Sequence, residues 1–480
     1  MTIKAPMKDI IIILPGILGS VLQKDGKDLW NVSGQAIFQV LTNLGKVVHD
    51  LKLSEDDPEA ESLDDGIRAT SLIQDTHLIP GLWKIDGYTQ TAHLITDNFN
   101  VTPGDIYNDP EDKAANFYQF PYDWRRDNRA NARILKKLID KRLKCWRQKS
   151  GASDAKVILL AHSMGGLVSR YYLEVLGGWQ DSRALFTFGT PYRGSLNAVN
   201  FLANGYKQLF LDLTEVMRSL TSIYQLLPIY EVVKIGESYK RIAEADGLPN
   251  IDKLRAQDAL AFHREIEAAV KQHLALEAYQ SFNVFPIAGI KQVTLQSAVL
   301  ENGKLTTSAD LPAILQHRLE FGEGDGTVPQ ISAIPIEKSK EGNTFFIAEQ
   351  HGGLQNQKQV LDNLQKCLEM GQFDIGDIRA SQAAISLSLD DLFLPDEPVK
   401  IRAKVTGAIS FGKLQAEITS VSNGQPAIIL DFEQQEQEWV LAIDSLQQGL
   451  YRVKVQTENL SDQAPTPVHD LFEVVRGEGG

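Results

Sequence analysis

Cysteine is nearly absent: the 480 residues hold two, Cys145 and Cys367. A pair so far apart gives neither a disulfide framework nor a metal-ligand spacing, so two free thiols and no metal are expected. So few thiols slightly favour an intracellular location. Basic charge is in deficit too, with 48 Lys and Arg against 62 Asp and Glu, a net charge of −14 and a pI near 5.2. That argues against a nucleic-acid partner held across the surface. Long apolar runs are missing as well, since no stretch reaches the ~18 uninterrupted residues of a membrane span. The opening "MTIKAPMKDIIIILPGILGSVL" has the outline of a signal peptide, but Pro15 and Gly16 split its apolar run and no A-x-A site follows. The expected location is cytoplasmic or peripheral to a membrane, with neither signal peptide nor transmembrane segment. Internal repeats and low-complexity tracts are also lacking.

What is present is the pattern of an α/β protein. Short β-branched apolar runs at 10–14, 157–161, 185–188, 284–287 and 344–348 are bounded by turn residues and separated by helical periodicity, which predicts a mostly parallel sheet. Ile10 to Leu14 has no polar alternation, as expected of a strand covered on both faces. After Ser163, Leu167, Val168, Tyr171, Tyr172 and Val175 recur at helical spacing and predict one apolar stripe. Residues 21–115 and 196–280 exceed a minimal core and read as inserted helical caps. From about 380 the chain changes to short alternating strands such as "VKIRAKVTG" and "GLYRVKVQTE", predicting an immunoglobulin-like β-sandwich over 380–480 after a catalytic domain over 1–379.

The stretch "VILLAHSMGGLVSRYY" (157–172) reads as strand, tight turn and helix, the mounting of a nucleophilic serine. Its G-x-S-x-G signature is altered, because Ala161 stands at the first position; the turn requires small residues there, and alanine is small. A serine nucleophile needs a base, an acid that orients the base, and donors for the oxyanion. In the chain order Ser, acid, His, the acid candidate is Asp325 in "GEGDGTVP", with Glu323 as a neighbour that could replace it. The base candidate is His351 in "FFIAEQHGGL", on a glycine turn at a strand end. His162 is the alternative base, whereas His273 and His317 lack a strand-end context. The oxyanion donors expected are the amides of Met164, which starts the helix, and of Ile17 or Leu18 in "LPGILGS".

The motifs "PGILGS", "FPYDWR", "HSMGG", "FGTPYRGS", "GDGTV" and a late His351 occur in this order, and in this the chain resembles the lecithin:cholesterol acyltransferase family over residues 9 to about 370. The resemblance implies an α/β-hydrolase fold with a cap and lid. It also implies acyl-enzyme chemistry in which Ser163 attacks a lipid ester, His351 is the general base and Asp325 orients it. Ile17 and Met164 would hold the oxyanion, and water or an acceptor hydroxyl would receive the acyl group. No cofactor is implied. Leu18, Tyr122, Trp124 and Tyr192 are the candidate substrate contacts.

Some features have plainer readings. Trp124 can simply pack while Asp123 and Arg125 pair across a turn, and Arg193 reads as a loop anchor. Residues 125–149 carry eleven Lys or Arg around an apolar stripe, more in keeping with a solvated helix face than with a membrane-binding one. The apolar cap segment 209–228 is the better candidate for transient membrane contact. Two other functions stay open: hydrolysis of a non-lipid ester or amide, and a tethering or binding protein that works through its C-terminal sandwich with a relic hydrolase domain.

Overall fold

The computed structural model describes residues 4–30, 49–74, 77–79, 83–208, 211–318, 321–339, 344–370, 383–394, 396–407, 412–421, 425–436, 438–458 and 464–475. The boundary expected at 379/380 and cap residues 209–210 lie outside this set. Six strands make the central sheet: β1 (Ile10–Leu14), β2 (Phe117–Gln119), β3 (Val157–His162), β4 (Ser182–Phe188), β5 (Asn283–Ile290) and β6 (Phe345–Ala348). Their order is β6-β5-β4-β3-β1-β2, and every pairing is parallel. All of β1 and β3 is buried, which explains their unbroken apolar sequence. Strands added after β3 extend one side of the sheet, whereas β1 and β2 lie on the other. The order in which strands are added thus reverses between β3 and β1, and crevices at the carboxyl ends of strands at such a switch collect ligands. Pro15 and Ser163 emerge there.

Helix α1 (Thr89–Asn98) precedes β2, and α2 (Asn128–Ser150) carries the chain from β2 to β3. The Asp127 carboxylate accepts from the Arg129 amide at the start of α2, and Gly151 closes its end with φ 77°. Leu135, Ile139 and Leu143 are buried, while Lys136, Lys137 and Lys141 pair with Asp140, Glu61 and Glu111. Three lysines of the basic face are therefore paired within the chain. After β3 comes α3 (Met164–Arg170), which widens into a π-turn over Tyr171–Val175. The single stripe expected here is absent, because every residue from Met164 to Glu174 is buried. Charges are accommodated by pairing: the Arg170 guanidinium lies 3.0 Å from Glu174, and Glu174 accepts from Tyr279 at 2.8 Å.

The insertion at 21–115 differs from the helical cap expected. Its described part holds helix α1, a helical stretch at 49–51 and several short strands, among them a hairpin of Ser20–Lys24 with Lys27–Trp30. Asp25 and Gly26 have φ 50° and 75°, the geometry of a two-residue turn that matches strand twist, and an Asp-Gly pair favours it over a helix. The insertion at 196–280 carries helices α4 (Leu196–Asn204), α5 (Thr214–Ser219), α6 (Thr221–Tyr224) and α7 (Lys253–His273). Leu213, Val216, Met217, Leu220, Ile223 and Leu226 are all buried, so these six apolar residues of the segment expected to touch a membrane face inward. Among the described residues, no helix is long and apolar enough to cross a membrane.

The C-terminal region is all strand: β7 (Ala384–Leu389), β8 (Leu392–Phe393), β9 (Val399–Thr406), β10 (Leu414–Ser420), β11 (Ile428–Asp431), β12 (Glu433–Gln435), β13 (Glu438–Ile443), β14 (Gly449–Thr457) and β15 (Val468–Val474). These form two sheets, β7-β9-β13-β12 and β8-β15-β14-β10-β11. A separate core of Ile385, Ile401, Val453 and Phe472 lies within them, built by alternation of buried and exposed residues along β9 and β10. The region is tied to the parallel sheet by polar contacts. The Lys84 ammonium lies 2.6 Å from Asp391 and 2.8 Å from Asp470. The buried Glu349 carboxylate accepts from the His469 amide at 2.9 Å and lies 2.8 Å from His469 Nδ1. Burial alone would lower the His469 pKa, but the Glu349 carboxylate outweighs it and raises it. Gln292 bonds both Ile385 and Leu387.

Candidate active site

Ser163 sits between β3 and α3 with φ 51° and ψ −124°. A side chain rarely adopts such a backbone, at a cost of about 1–3 kcal/mol, and the surroundings hold it. The Ser163 amide donates to the Phe188 carbonyl at 2.8 Å, and Thr190 Oγ1 donates to the Ser163 carbonyl at 2.9 Å. The turn is crowded on its helix side: a Cβ on Gly165 would strike the Pro15 carbonyl oxygen, and one on Gly166 the Thr190 side chain.

Asp325 and His351 lie beside Ser163. His351 Nε2 is 2.9 Å from Ser163 Oγ, and His351 Nδ1 is 2.7 Å from Asp325 Oδ2. The other carboxylate oxygen, Oδ1, accepts from the Thr327 and Val328 amides at 2.9 and 2.7 Å. The His351 amide donates to the Asp325 carbonyl at 2.8 Å, so the two loops are also joined through backbone. All three residues are at most 4% exposed. In this arrangement Nδ1 carries the ring proton and Nε2 is free to accept from the serine. The neighbour Glu323 instead pairs with Lys291 at 3.2 Å on the surface. His162 is buried, turns its Nε2 to the His351 carbonyl at 3.1 Å, and has its pKa pushed down to about 3 by burial and by the adjacent His351. It is a neutral ring, not a base for Ser163. His273 bonds Glu174, and His317 is exposed.

The loop after β1 reaches the same point. Ile17 and Leu18 line the cavity at Ser163, and Leu18 has φ 62°. Gly16 passes so close that a Cβ there would lie 2.9 Å from Ser163 Cβ. Among the described residues, neither the Ile17 nor the Met164 amide has a hydrogen-bond partner, which leaves two donors free beside Ser163. Tyr122 and Trp124 hold this loop from behind. The Tyr122 hydroxyl donates to the Pro15 carbonyl at 2.8 Å and the Trp124 Nε1–H to the Ser20 carbonyl at 3.1 Å. Arg125 pairs with Asp123 at 2.6 Å, and Arg193 anchors its loop to the Ile334 carbonyl and Ser339.

The cavity is narrow, about 20 Å³, and apolar. Pro191, Ala198, Phe201, Met217, Ile223 and Leu226 wall it beyond Ile17 and Leu18. Of the four expected substrate contacts only Leu18 is among its lining residues. Tyr122 and Trp124 are buried beneath the loop that follows β1, and Tyr192 is bonded to Thr187 at 2.8 Å. Sequence reading missed Gly189, which has φ 61° and whose Cβ, if present, would lie 2.9 Å from both Asp325 Oδ2 and His351 Nδ1. The glycine in "FGTP" was the available signal. Gly189→Ala is expected to cut turnover of p-nitrophenyl butyrate about 100-fold while the chain stays folded, since displacing a reacting group by ~1 Å costs that much; circular dichroism and steady-state kinetics check it. Among the described residues, no cluster of His, Cys, Asp and Glu is suited to a metal ion, and Cys145 and Cys367 are free and buried.

Comparison with known proteins agrees with the motifs. Residues 111–247 match the lecithin:cholesterol acyltransferase family. A human (Homo sapiens) lysosomal phospholipase A and acyltransferase is 31% identical over 119 residues, covering 22% of this chain and 27% of that protein. The match thus spans about a quarter of that relative's length. Among solved structures, the mature form of the Bacillus licheniformis lipase BlEst2 is 13% identical, with 77% of this chain and 96% of that one covered at a TM-score of 0.30, too low to bear on the fold. The family segment contains Ser163, "FPYDWR" and "FGTPYRGS"; the loops bearing Ile17, Asp325 and His351 lie outside it.

Proposed function

Because this chain is a relative of the lecithin:cholesterol acyltransferase family over residues 111–247, we propose that it is a serine-dependent lipid acyltransferase or lipid ester hydrolase of α/β-hydrolase fold. The observation that carries this reading is Ser163 Oγ, 2.9 Å from His351 Nε2, at the end of an apolar cavity. The serine oxygen attacks the ester carbonyl carbon as its proton passes to His351 Nε2. Ile17 and Met164 donate to the resulting oxyanion, and Asp325 supports the charged imidazolium. When the carbon–oxygen bond to the leaving alcohol breaks, that alcohol takes the proton from Nε2 and the acyl group stays on Ser163. Water or an acceptor hydroxyl then reverses the sequence. An acyl chain suits a wall of Leu18, Phe201, Met217, Ile223 and Leu226, although at about 20 Å³ the cavity has to widen by movement of the cap before one enters.

The C-terminal region is read as an immunoglobulin-like sandwich occupying the chain beyond 380. Two features support this. Its sheets follow the order in which such domains place their strands, with β7 and β8 as two halves of a first strand that changes sheets. The Tyr451 hydroxyl, near the start of β14, donates to the Gln447 carbonyl at 2.6 Å, as in a tyrosine corner.

Ser163→Ala is expected to abolish labelling by a fluorophosphonate probe, and undiminished labelling of the variant would remove Ser163 as nucleophile. Phosphatidylcholine vesicles supplied with and without a long-chain alcohol separate the two chemistries: new ester marks transfer, free fatty acid alone marks hydrolysis. No product from lipid in either case, with p-nitrophenyl butyrate still turned over, would point to a non-lipid ester.

A further inference from the structure

Behind the reacting atoms runs a chain of buried polar groups that the acyl-enzyme scheme does not use. The Gly16 amide donates to Tyr88 Oη at 2.8 Å. Tyr88 Oη lies 3.0 Å from His162 Nδ1, and His162 Nε2 lies 3.1 Å from the His351 carbonyl. Tyr88 and His162 are each 1% exposed, so water does not satisfy them. One proton arrangement satisfies every member. The amide at one end can only donate and the carbonyl at the other can only accept, so the tyrosine proton goes to Nδ1 and the imidazole proton stays on Nε2.

The ends of this chain are the residue before the Ile17 amide and the backbone of His351 itself. The middle lies beside Ser163 in sequence. Tyr88 is itself fastened to the histidine turn by its neighbours. The Asp86 amide donates to the Gly352 carbonyl at 3.1 Å, the Thr91 hydroxyl donates to the Gln355 carbonyl at 2.7 Å, and Gln355 Nε2 donates to the Gly87 carbonyl at 2.9 Å. Space is tight as well: a Cβ on Gly19 would lie 2.9 Å from Tyr88 Oη, and one on Gly16 lies 3.2 Å from His162 Nδ1. Neither Tyr88 nor His162 lines the cavity at Ser163.

We propose that Tyr88 and His162 are positioning residues that lock the oxyanion loop to the catalytic histidine, so that the Ile17 amide and His351 Nε2 keep their separation as charge develops between them. This rests on the assignment of Ser163 and His351 given above. Losing the lock lets the two loops drift independently, which lowers transition-state stabilisation and leaves ground-state binding in the apolar cavity nearly intact.

The test uses the full chain, p-nitrophenyl butyrate as substrate and fluorophosphonate titration to count active sites. Tyr88→Phe removes the hydroxyl at the centre of the chain. His162→Gln keeps a donor near the Nε2 position for the His351 carbonyl and breaks only the link to Tyr88. Each is expected to lower kcat per titrated site about 10-fold to 100-fold, with KM within about twofold. Because both break the link between Tyr88 and His162, the double variant is expected to be no slower than the worse single one. Kcat per titrated site within twofold of the parent in Tyr88→Phe, or losses that multiply in the double variant, would overturn the proposal. So would a fall confined to the number of titratable sites, as a merely structural role predicts. If Tyr88→Phe does not fold, His162→Gln carries the same reading alone. Ser163→Ala is the accompanying control: if it still labels, the nucleophile is wrong, whereas lost labelling together with normal kcat in the two variants removes the lock alone.

Discussion

Asp325→Asn is expected to slow acylation of Ser163 by about 10⁴-fold, a loss of the size seen when a triad acid is made neutral elsewhere, with little change in thermal stability. The cause lies in how the carboxylate is held. Oδ1 accepts two backbone amides, from Thr327 and Val328, and Oδ2 faces His351 Nδ1 at 2.7 Å. An asparagine keeps its oxygen on the two amides, which turns its NH₂ toward Nδ1. That nitrogen must then accept, so the ring proton moves to Nε2 and points at Ser163 Oγ, from which the imidazole can no longer take a proton. Stopped-flow release of p-nitrophenol checks this. A loss smaller than tenfold would show that the carboxylate does not set the tautomer. Glu323→Gln serves as the comparison and is expected to be silent, since its ion pair with Lys291 is exposed.

A chain ending at residue 379 is expected to aggregate and to lose fluorophosphonate labelling. β6 is the edge strand of the parallel sheet, it leads directly into His351, and the C-terminal region packs beside it. Glu349, between β6 and His351, is fully buried and bonded to His469. Removing the region uncovers an apolar edge, "FFIA", whose free amides and carbonyls recruit other chains. His469→Ala in the intact chain gives a graded version. Loss of one partner of a fully buried pair costs about 3–5 kcal/mol, and the partly open side of His469 reduces that to about 2 kcal/mol, visible as a lower unfolding midpoint. A truncated chain that is monodisperse, labels normally and unfolds at the parent temperature would mark the region as an appended binding module, the tethering function weighed from sequence.

What the sequence made legible follows the range of the interactions involved. β1 and β3 could be read because burial on both faces demands unbroken apolar residues, a purely local mark. Ser163, Asp325 and His351 could be nominated because each stands on a glycine-bearing turn at a strand end, and the structure places them within hydrogen-bond reach of one another. Tyr88 could not, since it meets Gly16 across 72 residues and nothing near it in the chain marks a buried hydroxyl. The Glu349–His469 pair, 120 residues apart, is hidden for the same reason. Tyr122 and Trp124 are candidate substrate contacts by sequence, yet each spends its polar atom on a backbone carbonyl, of Pro15 and of Ser20. The first insertion departs from the helical reading at Asp25–Gly26, where the turn makes a hairpin.

The wall of the cavity divides unequally between two kinds of backbone. Ile17, Leu18, Pro191, Thr327 and Val328 sit on loops where glycines have no room for a side chain and hydrogen bonds fix the path. Phe201, Met217, Ile223 and Leu226 come from the cap insertion. A change of volume at one of these four buried cap positions reshapes the cavity without touching the turn that holds Ser163, so variants that alter the size of ester accepted are expected to map to the cap, at the stability cost of repacking a core residue.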